Sequence, residues 1–269
     1  IAFGKMKLKK IINKSYYGSV NYIGSIEDLG TIEQYLLYNI SILKEFKNLI
    51  IATNYSGDFK TQNEKLWKKY FPNCVLIDLE KNRGHSFGTA DLDNAIINYC
   101  KQHSIDWVCK TSQDVIFDKS ILEMEVEEKK NFYYMNGIGY GGMEKYGFDL
   151  DKIESEYFYP QTNFYFLNTT KIDYLNDEDY LNETYEYIQG VKDYNGRIWE
   201  YIEGWTCEDF LKECITRNNI SKYDLVPSKK YRILLETIKH LQIHDCSHKN
   251  IMIEGICHFQ HPNQSVLTI

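Results

Sequence analysis

Apolar positions along the first half of the chain alternate between two rhythms. Residues 20–23 form a short β-prone run. After it, Ile32, Leu36, Ile40 and Leu43 keep a helical spacing that opens at Thr31, with Gln34 three residues on as the second member of a capping box. Residues 49–52 are a continuous apolar strand that closes on a loop at Asn54, Tyr55, Ser56 and Gly57. A helix from about Gln62 to Tyr70 is stopped by Phe71 and Pro72, because a residue before proline is pushed out of the helical region. Residues 75–79 give a third strand and residues 82–88 a polar, glycine-bearing loop. Leu92, Ala95, Ile96, Tyr99 and Cys100 then stripe one face of a helix over residues 89–103, and residues 105–109 form a fourth strand running into Lys110, Thr111, Ser112, Gln113 and Asp114.

Short apolar strands alternating with amphipathic helices predict an α/β fold, with a mostly parallel central sheet and helices on both faces. Ligands of such sheets bind beyond the carboxyl ends of the strands, so the loops after Ala52, Leu79 and Cys109 are where chemistry is expected. The second half reads differently. Aromatics alternate with glycines over residues 132–143, and residues 162–167 are β-prone. Residues 181–201 are tyrosine-rich and helical in part, broken by Gly190 and Gly196. A short helix follows Gly204 and Trp205, with Phe210, Leu211, Cys214 and Ile215 facing inward.

Composition narrows the function. The 269 residues are 43% hydrophobic, enough for one large domain of two halves, about 15–130 and about 131–269. The net charge of −7 offers no basic footprint for nucleic acid. No apolar run approaches the ~20 residues of a transmembrane segment, and residues 5–14 lack a signal-peptide core. Seven cysteines without a Cys-x-x-Cys pair suit reduced thiols in a cytoplasmic protein, with peripheral attachment to a membrane left open.

Three segments carry a resemblance. The stretch Lys110-Thr111-Ser112-Gln113-Asp114-Val115-Ile116-Phe117 resembles the strand-plus-Asp-x-Asp motif of GT-A fold glycosyltransferases, the nucleotide-diphospho-sugar transferases. Ser112 and Gln113 stand where those enzymes carry acids, and Asp114 alone is retained. The loop Asn82-Arg83-Gly84, ahead of a helix bearing Asn94, is similar to their Asn-x-Gly loop beside the nucleotide. Gly204-Trp205-Thr206-Cys207-Glu208-Asp209 resembles their Gly-Trp-x-x-Glu-Asp motif.

The resemblance implies a GT-A fold over the whole chain and transfer of a sugar from a nucleoside-diphosphate donor to a glycan or other hydroxyl acceptor, with inversion. It implies donor contacts from Asn82, Arg83, Gly84, Ser112 and Gln113, and an acceptor wall from Gly204 and Trp205. Asp209, with Glu208 next in rank, would be the general base. Asp114 would hold Mn²⁺ or Mg²⁺ weakly, with His258 ranked ahead of His244 and His248 as second ligand. Plainer roles stand beside these: Asp114 as a loop cap before Asp118, Asp209 as a helix-start carboxylate favoured by the dipole, and each histidine as a surface or core residue. A catalytically impaired nucleotide-sugar-binding module of the same fold is the alternative. A nucleotidyltransferase would need a basic glycine-rich loop after the first strand, where Gly24–Gly30 is acidic.

Overall fold

The computed structural model describes residues 4–80, 82–136, 149, 152, 158–173, 175–194, 207–226, 228–240, 250–258 and 266–268. Its elements are β1 (Lys5–Lys7), α1 (Lys9–Ile12), β2 (Tyr16–Ile23), α2 (Ile26–Leu43), β3 (Leu49–Tyr55), α3 (Lys60–Tyr70), β4 (Val75–Leu79), α4 (His85–Gln102), β5 (Trp107–Ser112), β6 (Val115–Phe117) and β7 (Glu125–Glu127). They continue as β8 (Phe132–Asn136), β9 (Pro160–Asn168), α5 (Glu178–Gln189), α6 (Cys207–Arg217), β10 (Lys222–Asp224), α7 (Ser228–His240), β11 (Asn250–Ile253), β12 (Ile256–His258) and β13 (Val266–Thr268).

A seven-stranded sheet in the order β10-β8-β9-β5-β2-β3-β4 forms the centre. β5, β2, β3 and β4 run parallel to one another, and β9 lies antiparallel between β5 and β8. Leu29, Ile32 and Leu36 of α2 and Trp67 of α3 pack one face, together with Tyr17, Ile51 and Cys109 of the sheet. Leu92, Ile96 and Cys100 of α4 and Leu211, Cys214 and Ile215 of α6 pack the other, with Ile50, Val108 and Tyr165. Successive strand residues therefore serve opposite layers, as the pleat requires. The result is a mixed α/β protein with a mostly parallel sheet covered on both faces.

Three of the boundaries that differ from the expectation have a clear physical cause. α2 begins at Ile26, not Thr31: Ser25 accepts from Asp28 N at 3.2 Å while Asp28 accepts from Ser25 N at 2.9 Å, a reciprocal capping box. Thr31 sits inside that helix with its hydroxyl donating back to Glu27 O at 3.1 Å. β3 continues through Asn54 and Tyr55, because these pair with Tyr22 and Ile23 of β2. α4 begins at His85 because Gly84 adopts φ 84° at its N-cap, a left-handed conformation that glycine takes without steric cost. Residues 85–88, expected in the loop, are its first turn.

β6 follows β5 after two residues and leaves the main sheet for a second one, ordered β13-β11-β12-β6. A two-stranded ribbon of β1 and β7 completes the described strands. No described helix is long and apolar enough to cross a membrane.

Candidate functional site

The parallel strands change direction of succession at β2. The chain passes from β2 outward to β3 and β4, then returns through α4 to place β5 on the opposite side of β2. α2 and α4, which leave these strands, lie on opposite faces, so the switch point, where open α/β sheets bind ligands in a crevice, lies beyond the carboxyl ends of β2 and β5. Register fixes which residues surround it. Val20 pairs with Ser112, while Tyr22 is level with Asn54 and Asn54 with Leu79. β2 thus projects past β5, and Gln113 spans the step by accepting from Tyr22 N at 3.0 Å. Ser112 is the last residue of β5.

On the β3–β4 side the loop residue Asn82 accepts from Gly84 N at 3.0 Å, which bends the chain into α4. A Cβ on Gly88 would lie 2.8 Å from Asn54 Nδ2 and 3.5 Å from Asn82 Oδ1. Glycine there lets α4's first turn approach two side-chain amides. Asn82, Gly84, Ser112 and Gln113 accordingly all sit on the carboxyl edge of the parallel strands. Arg83 points elsewhere: it is 8% exposed, pairs bidentately with Asp91, donates to Asn182 Oδ1 at 3.0 Å and approaches Leu181 O, beside the rings of Phe87 and Tyr185. Four of the five guanidinium donors are used in fastening α5 to α4.

Asp114 occupies the turn between β5 and β6. β6 pairs antiparallel with β12 so that Val115 stands opposite His258 and Ile116 opposite Cys257. The two residues expected to hold metal are therefore carried by adjoining strands, although the His258 side chain lies outside the described residues. Asp114 is in electrostatic reach of Tyr17, Tyr35 and Cys257. Burial pushes the Tyr35 hydroxyl up to about 12 and the Cys257 thiol to about 11, with the Asp114 charge adding to both, so neither brings a negative charge of its own near neutrality. Among the described residues no group of three His, Cys, Asp or Glu forms a metal cage. One carboxylate and one imidazole suit Mn²⁺ or Mg²⁺ when further oxygens come from a phosphorylated ligand.

On the α4–α6 face the edge is charged, and sequence reasoning missed it. Lys110, 1% exposed in β5, lies 3.1 Å from Asp93 Oδ1 on α4 and donates to Thr162 O. Thr162 in turn donates its hydroxyl to Glu208 Oε1 at 2.6 Å. Burial raises the Asp93 carboxyl to about 6 against the opposing pull of Lys110, with the nearby Glu208 charge raising it further. The signals were present singly: a lysine inside an apolar strand, and an aspartate on α4's buried stripe.

Glu208 and Asp209 are neighbours in the first turn of α6 and face different surroundings. Glu208 is tied to Thr162, just beyond the Thr111–Phe164 pairing and hence at the carboxyl edge of β5. Asp209 lines a cleft of about 410 Å³ between α5 and α6, walled by Leu175, Tyr180 and Phe210 and edged by Asp177 and Arg217. Gly204 and Trp205, the expected acceptor wall, and the rival histidines His244 and His248 lie outside the described residues. Among the described residues no disulfide joins the cysteines.

No family model matches the sequence, and no curated protein matches it. Among solved structures, the "putative nucleotide-diphospho-sugar transferase" of Desulfovibrio desulfuricans G20 is similar at a TM-score of 0.44 and 7% identity over 79% of each chain.

Proposed function

We propose that this protein is a glycosyltransferase of GT-A type, moving a sugar from a nucleoside diphosphate to a hydroxyl acceptor with inversion. The observation that carries the reading is the convergence of three segments on the β2–β5 switch point. The Asn82–Gly84 turn, the Ser112–Gln113 strand end and the Asp114 turn all open on that one edge. In this reading Asn82 and Gly84 bring backbone and amide groups to the donor, while Ser112 and Gln113 supply hydrogen bonds to ribose or phosphate. Arg83 serves the donor indirectly by fixing the loop to α5. Asp114 and His258 would hold Mn²⁺ or Mg²⁺, whose positive charge neutralises the departing diphosphate.

The acceptor would enter from the α5–α6 side, with Gly204 and Trp205 proposed from their motif alone as its wall. Asp209, in the first turn of α6 and lining the α5–α6 cleft, takes the acceptor proton as the hydroxyl oxygen bonds to the anomeric carbon. The nucleoside diphosphate leaves with the electron pair of the broken bond. Glu208 holds the start of α6 to the sheet edge and is the second candidate for the base.

The test begins with a thermal-shift screen of nucleoside diphosphates with and without Mn²⁺, since a ligand bound only by the native state raises stability by mass action. With a working donor, Asp209→Asn should leave donor affinity intact and lower transfer by roughly 10²–10⁴-fold. Unchanged turnover would pass the role to Glu208. Nucleotide binding without transfer in wild type would instead favour the binding-module alternative, to which the replacement of acids by Ser112 and Gln113 already points.

A further inference from the structure

We infer that Asn39 is a positioning residue for the Asp114–His258 corner; the inference rests on the reading of that corner as a metal site. β6 is three residues long and has left the main sheet, so it has few bonds to hold it. Alternate residues of a strand present their peptide groups to the same edge. The edge given by Val115 and Phe117 is filled by one side chain of α2: Asn39 Nδ2 donates to Val115 O at 2.7 Å, and Asn39 Oδ1 accepts from Phe117 N at 2.8 Å. A carboxamide has the donor and acceptor of a peptide group, so Asn39 stands in for a neighbouring strand. The residue is 2% exposed, and both bonds are shielded from water.

This clamp holds β6 by the edge away from β12, next to one expected ligand and across the strand from the other. Asp114 immediately precedes the held carbonyl, and Val115 is itself the strand partner of His258. Tyr35, one turn earlier on α2, is in electrostatic reach of Asp114. α2 thereby fixes where β6, and the Asp114 that precedes it, lie relative to the main sheet. Outer-shell partners of this kind typically change metal affinity 10–100-fold when removed.

Asn94 provides an internal control. On α4 it grips Asn176 in the same manner, donating to its carbonyl at 2.9 Å and accepting from its N–H at 2.9 Å, away from Asp114. Mn²⁺ is titrated into the full chain in the presence of a saturating nucleoside diphosphate, which supplies the further oxygens, and followed by water-proton relaxation, with Asp114→Asn identifying the site. Asn39→Leu removes both bonds at similar volume; Asn39→Asp, which keeps the acceptor and loses the donor, covers the case in which Asn39→Leu does not fold. The expected result is a 10–100-fold loss of Mn²⁺ affinity in the Asn39 variants and wild-type affinity in Asn94→Leu, at comparable losses of melting temperature. Equal affinity in all three, or equal loss in Asn39 and Asn94 variants, overturns the positioning role and leaves the metal reading standing. A wild-type chain with no relaxation change attributable to Asp114 overturns the metal reading and this inference with it.

Discussion

The two faces of the sheet solve the same problem with different chemistry. Near the carboxyl edge both must bury polar side chains, because the strands there approach a polar crevice. The α2–α3 face buries neutral groups and keeps the Asp78 carboxylate at the rim, paired with the exposed Lys60 at 3.0 Å. Ser19 donates to Asn21 Oδ1 at 3.0 Å, Asn63 donates to Tyr55 OH at 2.9 Å and approaches Thr53 Oγ1, and Tyr55 donates to Asp78 at 2.6 Å near the rim. The α4–α6 face does so with the Lys110–Asp93 pair, under Thr162 and Glu208. A neutral network loses its bonds singly, each worth about 1 kcal/mol net. A buried ion pair does not, because removing one partner leaves the other charged and without solvent. The α4–α6 face should therefore be brittle where the α2–α3 face is tolerant.

The largest effect expected from this difference is at Lys110. Lys110→Met leaves Asp93 without its cation and should cost about 3–5 kcal/mol, read as a fall in the urea midpoint. Replacing both partners, as Lys110→Met with Asp93→Leu, should recover most of that loss, since no charge then remains to be solvated. A double variant no better than Lys110→Met would mean that the donation to Thr162, not the ion pair, carries the stability.

A smaller effect is expected with pH. Burial raises the folded-state pKa of Asp93 from 3.8 to about 6. Between those values the native chain keeps a proton that the unfolded chain has released, so this group's contribution to stability falls as pH rises from about 4 to about 6. Asp93→Asn cannot titrate and should lack that share of the slope. Lowered carboxyl groups such as Asp118 and Glu33 act in the opposite direction but are common to both proteins, so the difference between the two curves isolates Asp93. Urea midpoints at several pH values from 4.5 to about 7 make the comparison; parallel curves would remove Asp93 from the account.

Periodicity made most of the scaffold legible, since Leu36, Ile51, Val108 and Ile96 all announce their layers. It failed where side chains rather than hydrophobicity set the boundary. Ser25 with Asp28 outcompeted Thr31 with Gln34 because the earlier pair satisfies the free N–H groups of α2 and the later pair falls within its helical turns. Asn54 and Tyr55 look like loop residues but are strand because β2 extends beside them. That Asn82, Gly84, Ser112 and Gln113 lie on the carboxyl edge could be anticipated from strand order. The commitment of Arg83 to Asp91 and Asn182, and the pairing of Lys110 with Asp93, could not. Both depend on which helix lies over which strand. Asn39 was hidden for a similar reason: an asparagine in an amphipathic helix reads as polar surface until β6 is seen to run beside it.

The smallest effect expected is on the tolerant face, at Tyr17. Its ring packs among Phe46 and Phe117, while the hydroxyls of Thr111 and Ser19 lie near enough to its own to offset part of its burial. Burial raises that hydroxyl well above the usual tyrosine range, so it stays neutral through any pH at which the protein is folded. Tyr17→Phe keeps the ring contacts and removes one neutral group from a network whose other members can still bond one another. The loss should be about 1 kcal/mol, without change in the pH dependence that Asp93 imposes. Both parts matter to the comparison. A loss as large as that of Lys110→Met would mean that the α2–α3 face is as brittle as its counterpart, and that neutrality is not what protects it. An altered pH slope would mean that the two faces are coupled through β5, where Thr111 and Lys110 are successive residues pointing into opposite layers. A small and pH-independent loss would leave charge as the difference between them, with the α2–α3 face as the one better able to accept substitutions beneath the crevice.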